Sequence, residues 1–381
     1  MRILYLIHST IEGGATMSFL TLIKGMVALN ITPYIIIPKK ERISSLFLDE
    51  INRLGINYYK VYLCQSVLVS PKKLQDYPKY WLKKYTMPIR QWYSQKHLIF
   101  LIKKIKPDII HTNTGILHDG FEASKKLNIP HIWHLREYQD LDFKLNIYPS
   151  FNSFCQKLKH SYVIAITKGI MTHFNLQNYN KAYTIYNGVF SQKDNYYNPN
   201  KSNYFLCASR ISPEKGIDQV IKAFSILKQN ENHYKLLIAG SGDDKYINEL
   251  KLLTQQLKCE KDIIFLGFIK DIKSYMLKAK ALIVASHNEG FGRMTAEACF
   301  CGCIVIGRNT AGTQEILNET GGFLFNNINE LSNAMNTVIH LPIKEYEFIA
   351  HLAQDKAIKL YSIENYIDQV HNIYKQIKNR S

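Results

Sequence analysis

Short apolar runs alternate with helix-length amphipathic segments along almost all of the 381-residue chain. This alternation constrains the fold more than any other feature, because strands separated by helices pair into a parallel sheet that the helices cover. In the first half the predicted strands are Ile3–Ile7, Tyr34–Ile37, Asn57–Val61, Asp108–Thr112, His131–His134, Tyr162–Ile166 and Tyr183–Tyr186. In the second half they are Tyr204–Ala208, Lys235–Ala239, Ile263–Leu266, Ala281–Ala285 and Cys303–Ile306.

The pattern therefore predicts an α/β fold with two doubly wound, Rossmann-like domains. A polar stretch without strands, Ser191–Asn203, is the best candidate linker. We expect a first domain over residues 1–190 and a second over residues 191–362. Residues 363–381 carry an apolar stripe at helical spacing, and the sequence leaves open which domain this stripe covers. Ligands of such sheets bind outside the carboxyl ends of the strands, so we expect the site in the cleft between the domains.

The chain has 48 Lys and Arg against 31 Asp and Glu, a formal charge of +17. Such a charge favours an acidic partner, which could be a nucleic acid, a membrane surface or a phosphorylated substrate. The segment Lys72–Lys106 concentrates it, with ten Lys and Arg and the single acid Asp76. Seven aromatic residues lie among these cations: Tyr77, Tyr80, Trp81, Tyr85, Trp92, Tyr93 and Phe100. The mixture suits the anionic surface of a membrane leaflet, and the alternative is a solvated helix pair whose aromatic residues pack on the domain.

Other features of the composition indicate the cellular compartment. No apolar run approaches the length of a transmembrane helix, and the first apolar run is too short for a signal peptide. Seven Cys is an odd and sparse number, which favours a reducing compartment. The spacing of Cys299, Cys301 and Cys303 is closer than that of zinc ligands, so core packing explains it better. We expect a cytoplasmic protein that associates peripherally with the inner leaflet of the membrane.

Three loops that follow predicted strands carry candidate chemistry. Gly13 and Gly14 lie between the first strand and a helix, where backbone can approach an anionic ligand, although an ordinary turn would look similar. Arg210 and Lys215 follow strand Tyr204–Ala208 and suit a diphosphate, the alternative being two solvated cations. Glu289, at the end of strand Ala281–Ala285, and Glu297, about one turn into the helix that follows, are carboxylates that can accept hydrogen bonds from sugar or ribose hydroxyls, or simply favour a helix N-terminus.

The segment Glu289-Gly-Phe-Gly-Arg-Met-Thr-Ala-Glu297 resembles the E-x7-E signature of the retaining, metal-independent GT-B glycosyltransferases of family 4, also called glycosyl transferases group 1. Four other parts of the chain are similar to segments of this family and occur in the same order. They are Ile185–Val189, Ser209–Gly216, Leu237–Gly242 with Phe265–Gly267, and Ala311–Ile316. The resemblance is strong over residues 204–322 and looser over residues 1–190. It implies that residues 1–190 form the acceptor-binding domain and residues 191–362 the donor-binding domain, and that the terminal helix, residues 363–381, crosses back onto the first domain. Ala311 stands where a first glycine is commoner.

The resemblance implies a role for each matching residue. Arg210 and Lys215 would neutralise the diphosphate of the donor as it leaves, and Glu289 would contact the transferred sugar. Glu297 would hold the ribose hydroxyls of the nucleotide. His134 is similar to the histidine that contacts the donor sugar and the acceptor in the first domain. The other implied donor-binding residues are Gly13, Gly14, Gly240, Gly242, Gly290, Phe291, Gly292, Gly312 and Thr313. Arg136 and Glu137 recur in capsule-type relatives, without an implied role.

The implied activity is retaining transfer of a sugar, with no cofactor and no metal, from a UDP- or GDP-sugar. The membrane-facing segment favours a lipid-linked saccharide acceptor in the assembly of capsule, lipopolysaccharide or exopolysaccharide. Two alternatives stay open. A sugar-nucleotide epimerase on the same fold would need no such acceptor, and a nucleic-acid-binding protein would account for the charge. The chain has no nucleic-acid reader motif, so we expect no nucleic-acid partner.

Overall fold

The computed structural model describes residues 1–71, 73–229, 231 and 233–380. Lys72, the first residue of the predicted basic segment, lies outside the described residues. The chain forms two compact units. Unit 1 consists of Met1–Gly188 and Glu364–Ser381, and unit 2 of Val189–Ile363. Each unit is built on its own parallel sheet, so the chain has the two doubly wound α/β domains that its strand pattern predicts.

Unit 1 contains a seven-stranded sheet and a two-stranded one. Its strands are β1 (Arg2–Leu6), β2 (Thr32–Pro38), β3 (Asn57–Val61), β4 (Val67–Val69), β5 (Ile109–Thr112), β6 (His131–Leu135), β7 (Leu145–Ile147), β8 (Tyr162–Ala165) and β9 (Ala182–Thr184). The parallel sheet has the order β3-β2-β1-β5-β6-β8-β9, and β4 pairs with β7 in antiparallel fashion. Its helices are α1 (Gly14–Ala28), α2 (Ser45–Arg53), α3 (Tyr77–Ile105), α4 (Asp119–Leu127), α5 (Asp140–Phe143), α6 (Phe151–Leu158) and α7 (Lys168–His173).

Unit 2 contains a six-stranded parallel sheet. Its strands are β10 (Tyr204–Ala208), β11 (Lys235–Ala239), β12 (Ile263–Gly267), β13 (Ala281–Val284), β14 (Val305–Arg308) and β15 (Phe323–Phe325), in the order β12-β11-β10-β13-β14-β15. Its helices are α8 (Ile217–Leu227), α9 (Asp244–Gln256), α10 (Ile272–Lys278), α11 (Arg293–Phe300), α12 (Ala311–Thr320), α13 (Ile328–His340) and α14 (Ile343–Tyr361). The final helix, α15 (Ile363–Lys378), continues from Glu364 as part of unit 1.

The apolar stripe of α15 packs in the core of unit 1. Tyr366, Val370, Ile373, Tyr374 and Ile377 are buried together with residues of β1, β2 and α1. This packing answers the question that the sequence leaves open, because the helix covers the sheet formed by the first part of the chain. On the other face of this sheet, α3 contributes Leu98, Ile102 and Ile105 to a second apolar cluster.

Helix α3 is one 29-residue helix that continues through Pro88, and not the helix pair of the alternative interpretation. Six of its apolar residues recur at intervals of three, four or eight positions, which places them on one face. We call them the α3 stripe: Tyr77, Trp81, Tyr85, Ile89, Trp92 and Phe100. Each of these side chains is between 42% and 75% exposed, so the alternative, in which the aromatic residues of this segment pack on the domain, does not describe the α3 stripe. Among the described residues, no helix has the length and apolar character to cross a bilayer.

Several predicted bounds shift in the structure. β14 begins at Val305, two residues after the predicted start, because its pairing with β13 begins at Leu282 and Val305. β9 likewise begins one residue earlier and ends two residues earlier than predicted. Three strands, β4, β7 and β15, were not predicted from the sequence, and each is only three residues long. A run this short has too few residues to display the alternation that identifies longer strands.

The predicted linker Ser191–Asn203 lies within unit 2 and is attached to it. The Lys201 ammonium donates to the carbonyl oxygens of Leu277 and Gly302, at 3.0 and 3.2 Å. Gln354 donates to the Tyr196 carbonyl at 3.3 Å. The polar composition of this stretch therefore reflects hydrogen bonds to unit 2, and the two units join along the chain at Gly188 and Val189 instead.

Candidate functional site

The helices of unit 2 begin in two different ways. α9, α10 and α13 each have a side-chain cap, since Asp243, Asp271 and Asn327 accept a hydrogen bond from a first-turn N–H. α8, α11, α12 and α14 have no side-chain cap. α14 follows another helix, α13, whereas α8, α11 and α12 each follow a strand of the sheet. These three helices follow β10, β13 and β14, which are neighbours in the middle of the sheet. Helix N-termini without caps attract anions, so this part of the carboxyl edge is suited to bind one.

Two threonine hydroxyls mark the same place independently. Thr295 and Thr313, each in the first turn of α11 or α12, are fully buried. Within the described part of the chain, neither hydroxyl oxygen has a hydrogen-bond partner. Both oxygens lie 3.4 Å from the position that a Cβ on Gly292 would occupy, so they converge on this glycine. A buried hydroxyl without a partner costs free energy, and an anion with several oxygens would remove that cost.

Lys215 and Glu289, which are 74 residues apart, meet at this edge. The Lys215 ammonium lies 2.6 Å from Glu289 Oε1, and both side chains are partly buried. The second predicted cation, Arg210, instead lies in an exposed pair with Glu214 at 2.9 Å. Each predicted diphosphate-binding cation therefore has a carboxylate partner. An anionic ligand would take over part of the interaction that this carboxylate now makes.

Glu297 also has a charged partner, Arg293, to which the sequence assigned no role. Arg293 Nε donates to Glu297 Oε1 at 2.7 Å across one turn of α11. Burial raises the pKa of Glu297, and the nearby Arg293 charge partly opposes this shift. Arg293 stands inside the E-x7-E segment, and its i, i+4 spacing to Glu297 is the signal that could have identified it.

Several predicted glycines have a packing reason in the structure. A Cβ on Gly240 would lie 1.8 Å from the Ser209 carbonyl oxygen, and one on Gly242 would lie 2.0 Å from that of Ile211. A Cβ on Gly312 would lie 2.3 Å from the Phe291 oxygen. These glycines let the loops after β10, β11, β13 and β14 pack backbone against backbone. Ala311 has a φ of 46°, in the left-handed region, which explains why a glycine is commoner there.

Phe291 and Gly290 complete the loop that follows β13. Phe291 is buried, and its ring meets the ring of Tyr361 edge to face at 5.8 Å. Gly290 lies between Glu289 and Phe291 and is partly buried. Phe291 therefore has a role in the packing of unit 2, and contact of these two residues with a donor stays a prediction.

A cavity of about 860 Å³ in unit 2 opens elsewhere. It is lined by residues of α8, by Arg308 and by the start of α13, and by none of the predicted site residues. Arg308 Nε donates to the Ala285 carbonyl at 3.0 Å, and its guanidinium also donates to Gln219. Because this arginine is held by the protein itself, we do not assign the cavity to the site.

In unit 1, Gly13 and Gly14 lie at the start of α1 with open space around them. A Cβ on either glycine would meet no atom within 4 Å. Gly13 is the N-cap of α1, which has no side-chain cap. Packing therefore does not require glycine at these two positions, in contrast to the glycines of unit 2. Their predicted approach to a phosphate or sugar stays a prediction.

His134 lies at the end of β6 and is fully buried. Its Nδ1 is 3.1 Å from Nε2 of His111, and Nδ1 of His111 is 2.6 Å from the Tyr374 hydroxyl. Among the described residues, Nε2 of His134 has no partner. Burial lowers the pKa of both histidines well below 6.5, and the charge of Arg136 lowers it further, so both rings are neutral at pH 7.

Arg136 and Glu137, for which the sequence gives no role, are buried beside this histidine. The Arg136 guanidinium donates to Asn113 Oδ1, Asn187 Oδ1 and the Tyr366 hydroxyl, all neutral oxygens, at 2.8–3.1 Å. Glu137 accepts hydrogen bonds from the Thr114 hydroxyl and the Gly115 N–H. Arg136 thus joins β5, β6 and α15 at the carboxyl edge of the unit 1 sheet.

Comparison with known proteins identifies the class. In Anabaena HepE, solved in complex with UDP, 21% of aligned residues are identical, the TM-score is 0.78, and the match covers 99% of this chain and 100% of that one. An uncharacterized glycosyltransferase of Methanocaldococcus jannaschii is 25% identical over 71% of this chain and 76% of its own length. An uncharacterized 42.6 kDa protein in the cps region of Klebsiella pneumoniae is 26% identical over 72% of this chain and 74% of its own.

The two parallel-sheet units and these structural neighbours define a GT-B fold. Residues 190–354 match the family glycosyl transferases group 1, the family that the sequence motifs resemble. The predicted fold class is thus confirmed, and the predicted resemblance to this family is found over the second part of the chain. The chain is a glycosyltransferase. Among the described residues, no group of three or more His, Cys, Asp or Glu is arranged to hold a metal ion.

Proposed function

We propose that this chain transfers a sugar, with retention of configuration and without a metal, from a nucleoside-diphosphate sugar to a lipid-linked saccharide. The product would be an intermediate of a cell-surface polysaccharide. The observation that carries the proposal is that α8, α11 and α12, which follow neighbouring strands of unit 2, have no side-chain cap, and that two of them carry the unpartnered hydroxyls of Thr295 and Thr313. A diphosphate supplies the negative charge and the oxygen atoms that this group lacks.

The chemistry needs a stabilised leaving group. As the bond between the sugar carbon and the diphosphate oxygen breaks, negative charge grows on the diphosphate. The ammonium of Lys215 and the N-termini of α11 and α12 would stabilise that charge, and Arg210 would add a second cation. Glu289, now 2.6 Å from Lys215, would then be released to accept a hydrogen bond from the sugar. This exchange of partners couples donor binding to the placement of Glu289.

The acceptor hydroxyl would attack from the face that the diphosphate leaves. The new bond joins the acceptor oxygen to the sugar carbon, and the proton of the acceptor passes to the departing phosphate oxygen. A separate protein base is therefore not required. The cationic residues and helix termini replace the metal ion that other transferases use to neutralise a diphosphate, so we expect activity to persist in a chelator.

Helix α3 supports the proposed acceptor. Its exposed stripe presents Trp and Tyr side chains, and Lys84 and Lys96 lie over the rings of Trp81 and Trp92 at 4.8 and 3.8 Å. Exposed aromatic residues bordered by lysines match the interfacial zone of an anionic leaflet, where the rings enter and the ammonium groups meet headgroup phosphates. We therefore propose peripheral attachment to the cytoplasmic face of the membrane, where a lipid-linked saccharide is within reach.

The donor is tested by thermal unfolding with UDP, GDP and ADP. A ligand at about 100 times its Kd stabilises the protein by about 2.7 kcal/mol, a shift of a few degrees. The relative solved with UDP makes UDP the first candidate. We expect Glu297→Gln to lose the shift and Glu249→Gln, an exposed change on α9, to keep it. Absence of a shift with every nucleoside diphosphate would refute the proposed donor class.

Membrane attachment is tested by flotation with vesicles of phosphatidylglycerol and of phosphatidylcholine. We expect binding to the anionic vesicles at low salt, and loss of binding in the double variant Trp81→Ala, Trp92→Ala. The matched control is Leu252→Ala with Phe348→Ala, two side chains of unit 2 that are 57% and 67% exposed. Equal binding by the two double variants would mean that the α3 stripe is not the attachment surface.

A further inference from the structure

Arg136 is a buried cation whose direct partners in unit 1 are all neutral. The residue follows β6 in the chain and is 5% exposed. Its guanidinium donates to the side-chain oxygens of Asn113, Asn187 and Tyr366, at 2.8–3.1 Å, and within the described chain it forms no ion pair with an acid. Buried charges are normally paired, because an uncompensated charge is costly to remove from water. The described chain therefore supplies no direct counter-charge to this guanidinium.

The acid that follows it in the chain does not fill this role. Glu137 uses its Oε1 atom to accept hydrogen bonds from the Thr114 hydroxyl at 2.7 Å and from the Gly115 N–H at 3.3 Å. Arg308, a buried arginine of unit 2, lines an open cavity together with the acid Asp218. Burial lowers the pKa of Arg308, and the Asp218 charge opposes this shift. Of these two buried arginines, only Arg308 has an acid of the chain that faces the same space.

The Arg136 guanidinium keeps two N–H groups that its protein partners do not use. An arginine side chain has five N–H donors in a planar fork. The bonds to Asn113, Asn187 and Tyr366 take one donor each from Nε, Nη1 and Nη2, so each terminal nitrogen retains one. A phosphate or a carboxylate has the paired oxygens that suit such a fork. Because three bonds already hold the guanidinium, it can bind such an anion without changing its orientation.

A second polar atom beside Arg136 also lacks a partner. Nε2 of His134, which is fully buried, has no hydrogen-bond partner among the described residues. Tyr366 links the two side chains, because its ring centre lies 6.3 Å from that of His134 and its hydroxyl accepts a hydrogen bond from Arg136. Both residues lie at the carboxyl edge of the sheet, where ligands of parallel sheets bind. Unused hydrogen-bonding groups and an uncompensated positive charge therefore meet at one place, next to Tyr366.

We propose that Arg136 binds a negatively charged group of the acceptor at this edge. The group has two or more oxygens, and it is either a phosphate of a lipid diphosphate or the carboxylate of an acidic sugar. It provides the counter-charge that the described chain does not supply, and the two unused N–H groups donate to its oxygens. The inference rests on the proposed function only in taking the ligand to be the acceptor.

Binding is measured at the guanidinium itself. In ¹H–¹⁵N spectra of the full chain labelled with ¹⁵N-arginine, the signal missing from Arg136→Lys identifies the Arg136 Nε–H. Geranyl diphosphate and glucuronate, titrated at constant ionic strength, represent the two sources of the anion. We expect a saturable movement of the Arg136 signal, and the probe with the lower Kd identifies the source.

The exposed Arg53 is the reference for the general attraction of anions to a chain of charge +17. Its signal should show no saturable movement over the same titration. An Arg136 signal that moves with neither probe, or that moves only as the Arg53 signal does, would overturn the inference.

Two variants separate anion binding from packing. Arg136→Lys keeps the positive charge but loses the planar fork, so the Kd of the preferred probe should rise about 10-fold or more. Tyr366→Phe removes one neutral oxygen of the same group and keeps the guanidinium, so its Kd should stay close to that of the wild type. Calorimetric titration in excess UDP gives both constants, and thermal unfolding reports any loss of packing. Equal Kd values in the two variants would mean that Arg136 has only a structural role.

Asn113→Asp tests the missing counter-charge directly, because it places a carboxylate where a neutral oxygen now lies 2.9 Å from Arg136 Nε. The chain then supplies its own anion, so the melting temperature should rise and the affinity for the added probe should fall. The control is Asn52→Asp, at an exposed position of α2, which makes the same change of charge and should alter neither quantity. A lower melting temperature in Asn113→Asp, or an unchanged affinity, would contradict the inference.

These results are separable from the identity of the donor. UDP at a concentration that saturates its own site should leave the Arg136 signal in place. If UDP alone moved this signal, Arg136 would belong to the donor site, and its assignment to the acceptor would be wrong. If UDP stabilised the protein while neither probe moved the signal, the proposed donor would stand and this inference would fail. If a probe bound at Arg136 and no nucleoside diphosphate stabilised the protein, the anion site would stand without the proposed donor.

Discussion

The carboxyl edges of the two sheets differ in the exposure and the charge of their side chains. In unit 2 the edge carries cation–carboxylate pairs that are partly or fully exposed, together with helix N-termini that lack caps. In unit 1 the edge carries a buried and almost uncharged set of hydrogen bonds around His134, in which the one cation, Arg136, is held by neutral oxygens. Ion pairs can exchange partners when an anion arrives, whereas a buried neutral network holds one geometry. We therefore expect the side chains at the edge of unit 2 to respond to the charge of a ligand, and those at the edge of unit 1 to keep one orientation.

The largest expected effect comes from removing a cation of unit 2. Lys215→Met should lower kcat by about 10²–10³-fold, in the range seen when one group that stabilises developing charge is removed. Lys222→Met, which removes an exposed lysine paired with Asp218 on α8, is the control and should leave kcat unchanged. Steady-state kinetics with the identified donor measure both. A Lys215→Met enzyme with wild-type kcat would contradict the assignment of charge stabilisation to this edge.

The buried hydroxyls of unit 2 give a sharper test, because stability and affinity should change in opposite directions. Thr313→Val removes a hydroxyl that has no partner, so the melting temperature should rise. The same change should weaken nucleotide binding by about 10-fold or more if the hydroxyl bonds a charged phosphate oxygen. Calorimetric titration and thermal unfolding give the two readings.

The control for this test is Thr254→Val on α9, where the hydroxyl donates to the Lys251 carbonyl at 2.7 Å. That variant should lose stability and keep its nucleotide affinity. If Thr313→Val instead destabilised the protein and left the affinity unchanged, the hydroxyl would be an ordinary part of the core.

The buried histidines of unit 1 predict a loss of stability in mild acid. Burial lowers the pKa of both His118 and His131 to about 3, so each takes up a proton on unfolding below pH 6.5. Their contribution is complete above that pH, and each loses about 2 kcal/mol between pH 7 and pH 5. Burial raises the pKa of Asp119 to about 7, which acts in the opposite direction and restores about 2 kcal/mol. His111 and His134, whose pKa values burial also lowers, add to the loss.

Unfolding in urea at pH 7 and pH 5 measures this dependence, and hydrogen exchange assigns it to unit 1. His118→Phe, which replaces a ring stacked on Phe154 at 5.0 Å, should reduce the difference between the two pH values. His233→Asn, at an exposed position, should leave it unchanged. A pH dependence confined to unit 2 would break the contrast between the two edges.

Much of the fold could be predicted from local pattern. The bounds of β3, β10 and β11 agree with the predicted strands to the residue. The runs of β10 and β11 are short and mostly apolar, which is the pattern that predicts a buried strand. The predictions fail for β15 and for the pair of β4 and β7, whose three-residue strands are too short to show a period. Pairing with a neighbour, which fixes such strands, is not visible in one sequence.

The residues of the candidate site could largely be predicted from the sequence, but the contacts between them could not. The sequence places Lys215 and Glu289 in loops after two strands, yet only the fold shows that they form a pair at 2.6 Å. Thr295 lies inside the E-x7-E segment, but the sequence does not single it out, because the lack of a hydrogen-bond partner for its hydroxyl is a property of the folded chain. Tyr374 lies 263 residues from His111, a separation over which no spacing rule operates.

The position of α15 bears on the order in which the protein matures during synthesis. Unit 2 is continuous along the chain, whereas unit 1 is completed only by residues that follow it. A nascent chain can therefore finish unit 2 while the first 188 residues still lack the helix that buries their apolar face. Until that helix leaves the ribosome, β1 and α1 expose apolar surface, and the first half of the chain is a natural client for a chaperone. Tyr374, whose hydroxyl lies 2.6 Å from His111, is thus among the last residues to reach its place in unit 1.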